Sequence, residues 1–306
     1  MNGRRVWGVI FIINVSVIAI LTVFAWWGNQ LLNQNAALIA VSQAQLTPLA
    51  NAAPQKIATA TDNSAAIKSV GIPAYTAAKL KQTTTVNQNG IGRLYIPQAR
   101  VALPILAGMT DANLLSGVAT YRPTQRLAHG NYVIASHNIF GTGLGLANIK
   151  VLKAGNAVYA TNYGYVYRYQ VSSNQVVNAN KIGLLDDVGP TDAAIMTIFR
   201  CEGPEGTPYR RVVQAKYTGY TTFEHTPSAV LKGLGISQKS VATKADKVVN
   251  QGVAPLNIWQ QLAVRSAGMV LASAPWQLCL VLGLTLFLPI AGIMVSDHKG
   301  GKRYVR

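Results

Sequence analysis

Acidic side chains are scarce in this 306-residue chain: 10 Asp and Glu stand against 27 Lys and Arg, and charged residues make up only 12% of the sequence. With no cluster of acids at metal-ligand spacing, a carboxylate-built cation site is not expected, and neither metal nor cofactor is predicted. Cysteine is scarcer still. Cys201 and Cys279 are the whole supply, and they fall in such different surroundings that a disulfide framework is excluded. Histidine occurs four times, so any imidazole chemistry has few places to sit.

Charge is absent altogether from two long stretches. Val6 to Trp27 is a run of 22 uncharged residues dominated by Val, Ile, Leu, Phe and Ala, enough helix to cross about 30 Å of hydrocarbon. It exceeds the usual apolar length of a secretory signal and ends in Trp26-Trp27 rather than a small-x-small cleavage site, so it reads as an uncleaved anchor. A second uncharged stretch runs from Ser266 to Ser296, most apolar from Trp276 to Val295. Arg4 and Arg5 precede the first span; Lys299, Lys302, Arg303 and Arg306 follow the second. The positive-inside rule then puts both termini in the cytoplasm and everything between the spans outside the cell membrane.

Setting aside those six cations and Asp297 leaves 21 Lys and Arg against 9 Asp and Glu in the outer portion, a surplus of 12 positive charges. Such a surface is drawn to polyanions, with anionic surface polymers and lipid headgroups as the natural partners, while the location argues against nucleic acid.

Texture divides the chain further. Residues 1–5 form a cytoplasmic N-terminus, 6–27 the first span and 28–89 a stalk rich in Ala, Gln, Asn, Thr and Ser, too poor in apolar residues for a compact core, with a helical start expected at Leu31 to Ala44. Residues 90–223 carry short β-branched and aromatic runs broken by Gly, Pro and Asn, the mark of an all-β domain. Strands are predicted at Arg93–Ile96, Arg100–Pro104, Tyr132–Ser136, Ala157–Thr161, Tyr165–Val171, Ala193–Arg200 and Arg211–Tyr217, in mainly antiparallel pairing. A turn is expected at Asn162-Tyr163-Gly164, and a helical turn over Asp111 to Ser116 opened by Asp111 as its N-cap. Tyr165, Tyr167 and Tyr169 line one strand face and read as packing. Residues 224–274 form a looser linker with a juxtamembrane helix over Pro255 to Arg265, followed by the second span at 275–295 and a basic cytoplasmic tail at 296–306.

Cys279 lies inside the second span, where a cysteine serves as a small apolar residue. Cys201 is different: it ends the apolar run Thr197-Ile198-Phe199-Arg200-Cys201 and is followed by a Gly- and Pro-rich loop, with Arg200, Arg210 and Arg211 close in sequence. Neighbouring positive charge stabilises a thiolate, so on these features a reactive nucleophile and a buried inert thiol are equally good readings. His137 closes the strand Asn131 to Ser136 and is the best-placed imidazole, whereas His129 and His225 sit in loops. Arg210 and Arg211 open the strand after the Cys201 loop. A guanidinium makes a poor base but a good anion stabiliser, and only one of two strand neighbours can face the thiol.

Taken together, these segments resemble the sortases, cysteine transpeptidases that attach surface proteins to the Gram-positive cell wall. Gly92-Arg93-Leu94-Tyr95-Ile96-Pro97 with Leu103-Pro104-Ile105 is similar to the family's opening strands, and Asp111 to Gly117 to its first helical turn. Ala135-Ser136-His137-Asn138 resembles the histidine segment, Thr197 to Cys201 the Thr-Leu-x-Thr-Cys strand, and Arg210-x-Val212-Val213-x-Ala215 the arginine strand. The resemblance covers about Ile91 to Thr218. It implies an all-β fold, an eight-stranded barrel with short helices, here flanked by two transmembrane helices.

The resemblance also implies a two-step acyl transfer. Cys201 is the nucleophile that cleaves an LPxTG-like signal between Thr and Gly, His137 the general acid and base, and Arg210 the substrate or oxyanion stabiliser, with Arg211 as the alternative. The acyl group passes through a thioester to an amine of a peptidoglycan precursor. Two departures from the family pattern stand out: Arg200 replaces the usual Thr, and the arginine is doubled. A C-terminal span is familiar among pilus-polymerising, class C-like sortases, but their Asp-Pro-aromatic lid has no counterpart, since no Asp-Pro occurs in the chain. A class A-like anchoring enzyme with an extra span is therefore expected, with pilus polymerisation as the enzymatic alternative and a non-catalytic, membrane-tethered wall-binding module as the alternative of another class. A papain-like protease fits worse, because there the cysteine precedes the histidine.

Overall fold

The strand-like runs of the middle of the chain close on themselves. In a computed structural model, which describes residues 3–35, 38–61, 69–139, 143–189, 192–204, 206–237 and 253–301, the chain divides into one unit over Asn33–Pro255 and another formed by Met1–Leu32 with Leu256–Arg306.

The first unit is built on eight strands: β1 (Gly90–Ile96), β2 (Val101–Leu106), β3 (Val118–Thr120), β4 (Asn131–Ala135), β5 (Ala157–Thr161), β6 (Val166–Asn178), β7 (Ile195–Cys201) and β8 (Tyr209–Thr221). They form a closed barrel in the order β7-β8-β6-β5-β1-β2-β3-β4, with β4 returning to β7. Closure removes the sheet edges. Six of the eight pairings are antiparallel, as expected, but β2 pairs with β3 and β4 with β7 in parallel. Chain path is the reason: between β4 and β7 the chain runs through the β5–β6 hairpin on the far side of the barrel, and so re-enters beside β4 in the same direction.

Alternation decides what goes inside. Leu94, Ile96, Ile105, Ile134, Val158, Tyr169, Met196, Ile198, Val213 and Ala215 belong to one buried cluster that fills the barrel, while the opposite parity contributes Val133, Ala135, Phe199 and Val212 to a second cluster shared with Met109 and Leu114. The β5–β6 turn forms where it was expected. Asn162 Oδ1 accepts hydrogen bonds from the backbone N–H of Gly164 and of Tyr165. Tyr163 holds a left-handed φ of 67°, stabilised by burial of its ring with Val166, Leu231 and Leu234. Arg93 is fully buried, and donates to the carbonyls of Leu234, Gly235 and Ile39, tying β1 to both flanking segments.

The stretch read as a stalk contains two helices, α2 (Gln43–Ala58) and α3 (Ile72–Asn89), and the described residues between 33 and 42 are not helical. A capping box of Ser42 and Gln45 opens α2, which buries Leu46, Leu49 and Ala53. The buried face of α3 is largely polar: Gln82 donates to Ser116 O and Lys79 to Gln34 O. A sequence poor in apolar residues can pack when its polar groups find carbonyls, which composition does not reveal. Just before α3, Ser69–Val70 pairs in parallel with Asn138–Ile139, directly after His137.

The helical turn appears as α4 (Asp111–Ser116), but its cap is Thr110, whose side chain accepts from Asn113 N; the expectation of Asp111 as N-cap is thus corrected by one residue. A short helix α5 (Ser228–Gly233) follows β8.

The second unit holds α1 (Gly3–Leu32), α6 (Ile258–Ala272) and α7 (Pro275–Gly301). Two segments are long and apolar enough to cross a membrane, Arg5–Leu32 and Pro275–Val295. Gly28 of α1 lies so close to the backbone of Ala263 that a β-carbon would collide with it, and Ala263, Val264, Ala267 and Gly268 form the buried stripe of α6. Small residues let helix backbones approach in this way. Cys279 is exposed on the surface of α7. Lys302, Arg303 and Arg306, the loose stretch from Gln238 to Asn250, and Glu205 of the loop after Cys201 lie outside the described residues.

Candidate active site

Cys201 is the last residue of β7, and the β7–β8 register sets it directly opposite Arg210. Direct cross-strand partners project to the same face, so thiol and guanidinium share a side. The preceding pair, Arg200 with Arg211, belongs to the other side. Arg200 and Arg211 continue the interior parity of Ile198 and Val213 at the barrel rim, while Cys201 and Arg210 continue the outer parity of Phe199 and Val212.

His137 arrives from β4. The parallel β4–β7 register ends at Ala135 with Phe199, two residues before His137 and two before Cys201, and Ser136 N still donates to Phe199 O. The ring is met by α4: His137 Nε2 lies 2.9 Å from Asp111 Oδ1. Backbone contacts fasten that helix to the strand end, since His137 N donates to Leu114 O at 3.1 Å and Ser136 Oγ to the same carbonyl at 3.0 Å.

Burial is deep. Cys201 is 1% exposed and His137 0%. Asn138 Nδ2 donates to Gly203 O at 2.9 Å, linking the segment after the histidine to the loop after the cysteine. Gly203 has φ +105°, a conformation side chains disfavour. Within the loop, Thr207 Oγ1 donates to Glu202 O at 2.6 Å. Arg210 Nη1 donates to the carbonyls of Thr207 and Tyr209 at 3.0 and 2.9 Å.

The unusual Arg200 has a full set of acceptors. Nε donates to Leu146 O, Nη1 to Cys201 O and Nη2 to Ala147 O, at 3.0, 2.6 and 3.1 Å, and Nη2 is 3.2 Å from Glu202 Oε2. The same carboxylate oxygen takes Arg211 Nε at 2.7 Å, and Arg211 Nη1 reaches Asn174 Oδ1 at 3.1 Å. Asn174 in turn donates to Ile149 O and Leu152 O. Burial pushes the Arg200 pKa below the usual guanidinium range, and the Glu202 carboxylate opposes that shift. The result is a plug of two arginines and one carboxylate that ties β6, β7 and β8 to the 147–151 turn.

The other sequence candidates lie elsewhere. His129 belongs to the connection before β4, at the opposite end of that strand from His137, and His225 follows β8, with Nδ1 2.8 Å from Thr222 Oγ1. Among the described residues, no group of three or more His, Cys, Asp and Glu is placed to hold a metal ion. Sequence reasoning did not find Asp111 as a partner of His137. The available signal was Thr110, a good N-cap immediately before it, which leaves the aspartate carboxylate uncommitted.

Residues 94–218 match the family model described as the sortase domain. Sortase A of Bacillus anthracis is 33% identical over 129 residues, covering 42% of this chain and 60% of that protein. Sortase A of Listeria monocytogenes is 27% identical over 146 residues, covering 47% and 64%. A solved structure of Listeria monocytogenes sortase A aligns with 49% of this chain and 99% of that one at 25% identity and a TM-score of 0.45. The chain thus spans about three fifths of the length of the curated relatives it matches.

Proposed function

Because residues 94–218 match the sortase domain model, we propose that this chain is a membrane-anchored, class A-like cysteine transpeptidase acting on surface proteins with an LPxTG-like sorting signal. The observation that carries this reading is the register that sets Cys201 directly opposite Arg210 and lays the strand ending just before His137 alongside the strand of Cys201.

In the proposed mechanism the Cys201 thiolate attacks the Thr carbonyl carbon of the Thr–Gly bond, and a C–S bond forms as negative charge gathers on the carbonyl oxygen. Arg210, which cannot lose its proton, stabilises that charge or holds the substrate. To do so its guanidinium leaves the carbonyls of Thr207 and Tyr209. As the C–N bond breaks, His137 in its imidazolium form gives a proton to the departing Gly amine, and a thioester remains. An amine of a peptidoglycan precursor then attacks the thioester, His137 takes its proton, and the thiolate is released. Positive charge around the thiol favours the thiolate form needed to begin.

The two apolar helices, with Arg4 and Arg5 before one and the basic tail after the other, favour two spans, cytoplasmic termini and an external barrel. Protease protection in sealed vesicles tests that topology; cleavage of the barrel from the cytoplasmic side contradicts it.

Incubation with an LPxTG peptide and an amine acceptor tests the activity. Wild type is expected to release the Gly-containing fragment and form the new amide, and Cys201→Ala to do neither. The same product from both proteins, or none from either, overturns the reading. A non-catalytic wall-binding module draws on one observation, the near-complete burial of Cys201. It predicts that a thiol-directed reagent leaves Cys201 unlabelled in the folded protein even when sorting peptide is present.

A further inference from the structure

Asp111 faces the candidate general acid and base from the first turn of α4. Its carboxylate has no capping duty, because Thr110 accepts the first-turn N–H of Asn113 at 3.2 Å. The helix it opens is docked on the strand end that carries the histidine, through Leu114 O. This leaves Asp111 Oδ1 2.9 Å from Nε2 of a ring that is itself 0% exposed, while the Asp111 side chain is 66% exposed.

A carboxylate only accepts hydrogen bonds, so the neutral imidazole meets it with a hydrogen on Nε2, which makes Nδ1 the basic nitrogen. We infer that Asp111 is a positioning residue that fixes His137 in the Nε2–H tautomer, so that Nδ1 carries the proton exchanged with the leaving and incoming amines. The inference rests on the transpeptidase reading of the site. Proton bookkeeping closes: imidazolium loses its Nδ1 proton to the departing amine as the C–N bond breaks, keeps Nε2–H on Asp111 through the thioester stage, and regains a proton at Nδ1 from the attacking amine as the C–S bond breaks. A partner that orients a metal-bound histidine through its second nitrogen is worth about 10- to 100-fold, and an effect of that order is expected for a histidine that moves protons. Asp111 is largely exposed, and water screens part of its effect, so the lower end of that range is expected.

The test compares wild type, Asp111→Ala and Asp111→Asn by steady-state kinetics and by nitrogen NMR of the imidazole, with the His137 signal assigned by its loss in His137→Gln. Expected are an Nε2–H tautomer in wild type, a mixed population in Asp111→Ala with kcat about 10-fold lower and KM within about twofold, and a smaller loss in Asp111→Asn, which keeps an acceptor oxygen. Thr110 retains the helix cap, so the melting temperature of Asp111→Ala is expected to stay close to wild type. A wild-type Nδ1–H tautomer overturns the inference, as does an Asp111→Ala variant with unchanged kcat and tautomer. If wild type shows no transpeptidation, the functional reading fails instead, and the tautomer is still read from the spectrum.

Discussion

The ends of β7 and β8 present two faces that differ by one residue and by nearly everything else. On the outer face Cys201 stands opposite Arg210, whose guanidinium donates to two carbonyls of its own turn. On the inner face Arg200 stands opposite Arg211, and both are bound to the Glu202 carboxylate. The contrast shows that residue type does not assign a role here. Three arginines lie within reach of the cysteine in sequence, and parity together with cross-strand register sorts one to the thiol and two to the barrel rim.

The largest expected effect is on the outer face. Arg210→Ala should lower kcat/KM by about 10²- to 10³-fold, the usual scale for losing an oxyanion stabiliser, with little change in melting temperature. Arg211→Ala should do the reverse, losing stability while keeping kcat/KM within about tenfold. Equal losses of activity in the two variants would erase the distinction between the faces.

Next comes the plug. Arg200→Thr installs the residue the family usually carries, yet here it strands the carbonyls of Leu146 and Ala147 and leaves Glu202 with Arg211 alone. Urea denaturation should report a destabilisation of about 2–4 kcal/mol, in the range for breaking a buried charged network. A variant as stable as wild type would mean that the plug contributes no net stability.

A third buried cation sharpens the point by contrast. Lys79 of α3 has a carbonyl, that of Gln34, where Arg200 has three carbonyls and a carboxylate. Burial lowers the Lys79 pKa from 10.5 to about 8. Between those values the unfolded chain binds more protons than the folded one, so stability rises with pH from about 8 to about 10.5. Lys56, lowered to about 8 by the same cause, adds a rise of the same sign. Lys79→Met should therefore be more stable than wild type at pH 7, by on the order of 1 kcal/mol, and should flatten part of the rise in a melting-temperature series from pH 7 to 10.5. A variant less stable than wild type at pH 7 would show that the carbonyl offsets the burial.

The smallest effect concerns access. Asn138→Ala removes the side-chain bond to Gly203 O across the covered site and should speed labelling of Cys201 by a few-fold. No change would place the cover elsewhere.

Much of this was legible in the residues. Every strand longer than three residues was foreseen, because period-two alternation of buried positions is written locally. The three-residue β3 carries too few alternations to register, and the polar buried face of α3 has no compositional signature. Cys201 and His137 stood out by type and by position at strand ends. Asp111 was assigned to its own helix, since a local cap and a distant histidine compete for the same carboxylate and only the local one is visible in sequence.

Sequence alone determined that Arg210 and Arg211 point to opposite faces, because a strand turns its side chains over at every residue. Which of them meets Cys201 was decided only in the tertiary structure, since that depends on the register across the β7–β8 loop, and a slip of one residue exchanges the two faces. The same division holds for Arg200. Its charge is in the sequence, but its acceptors, the carbonyls of residues 146 and 147 and a carboxylate shared with β8, come together only when the barrel closes.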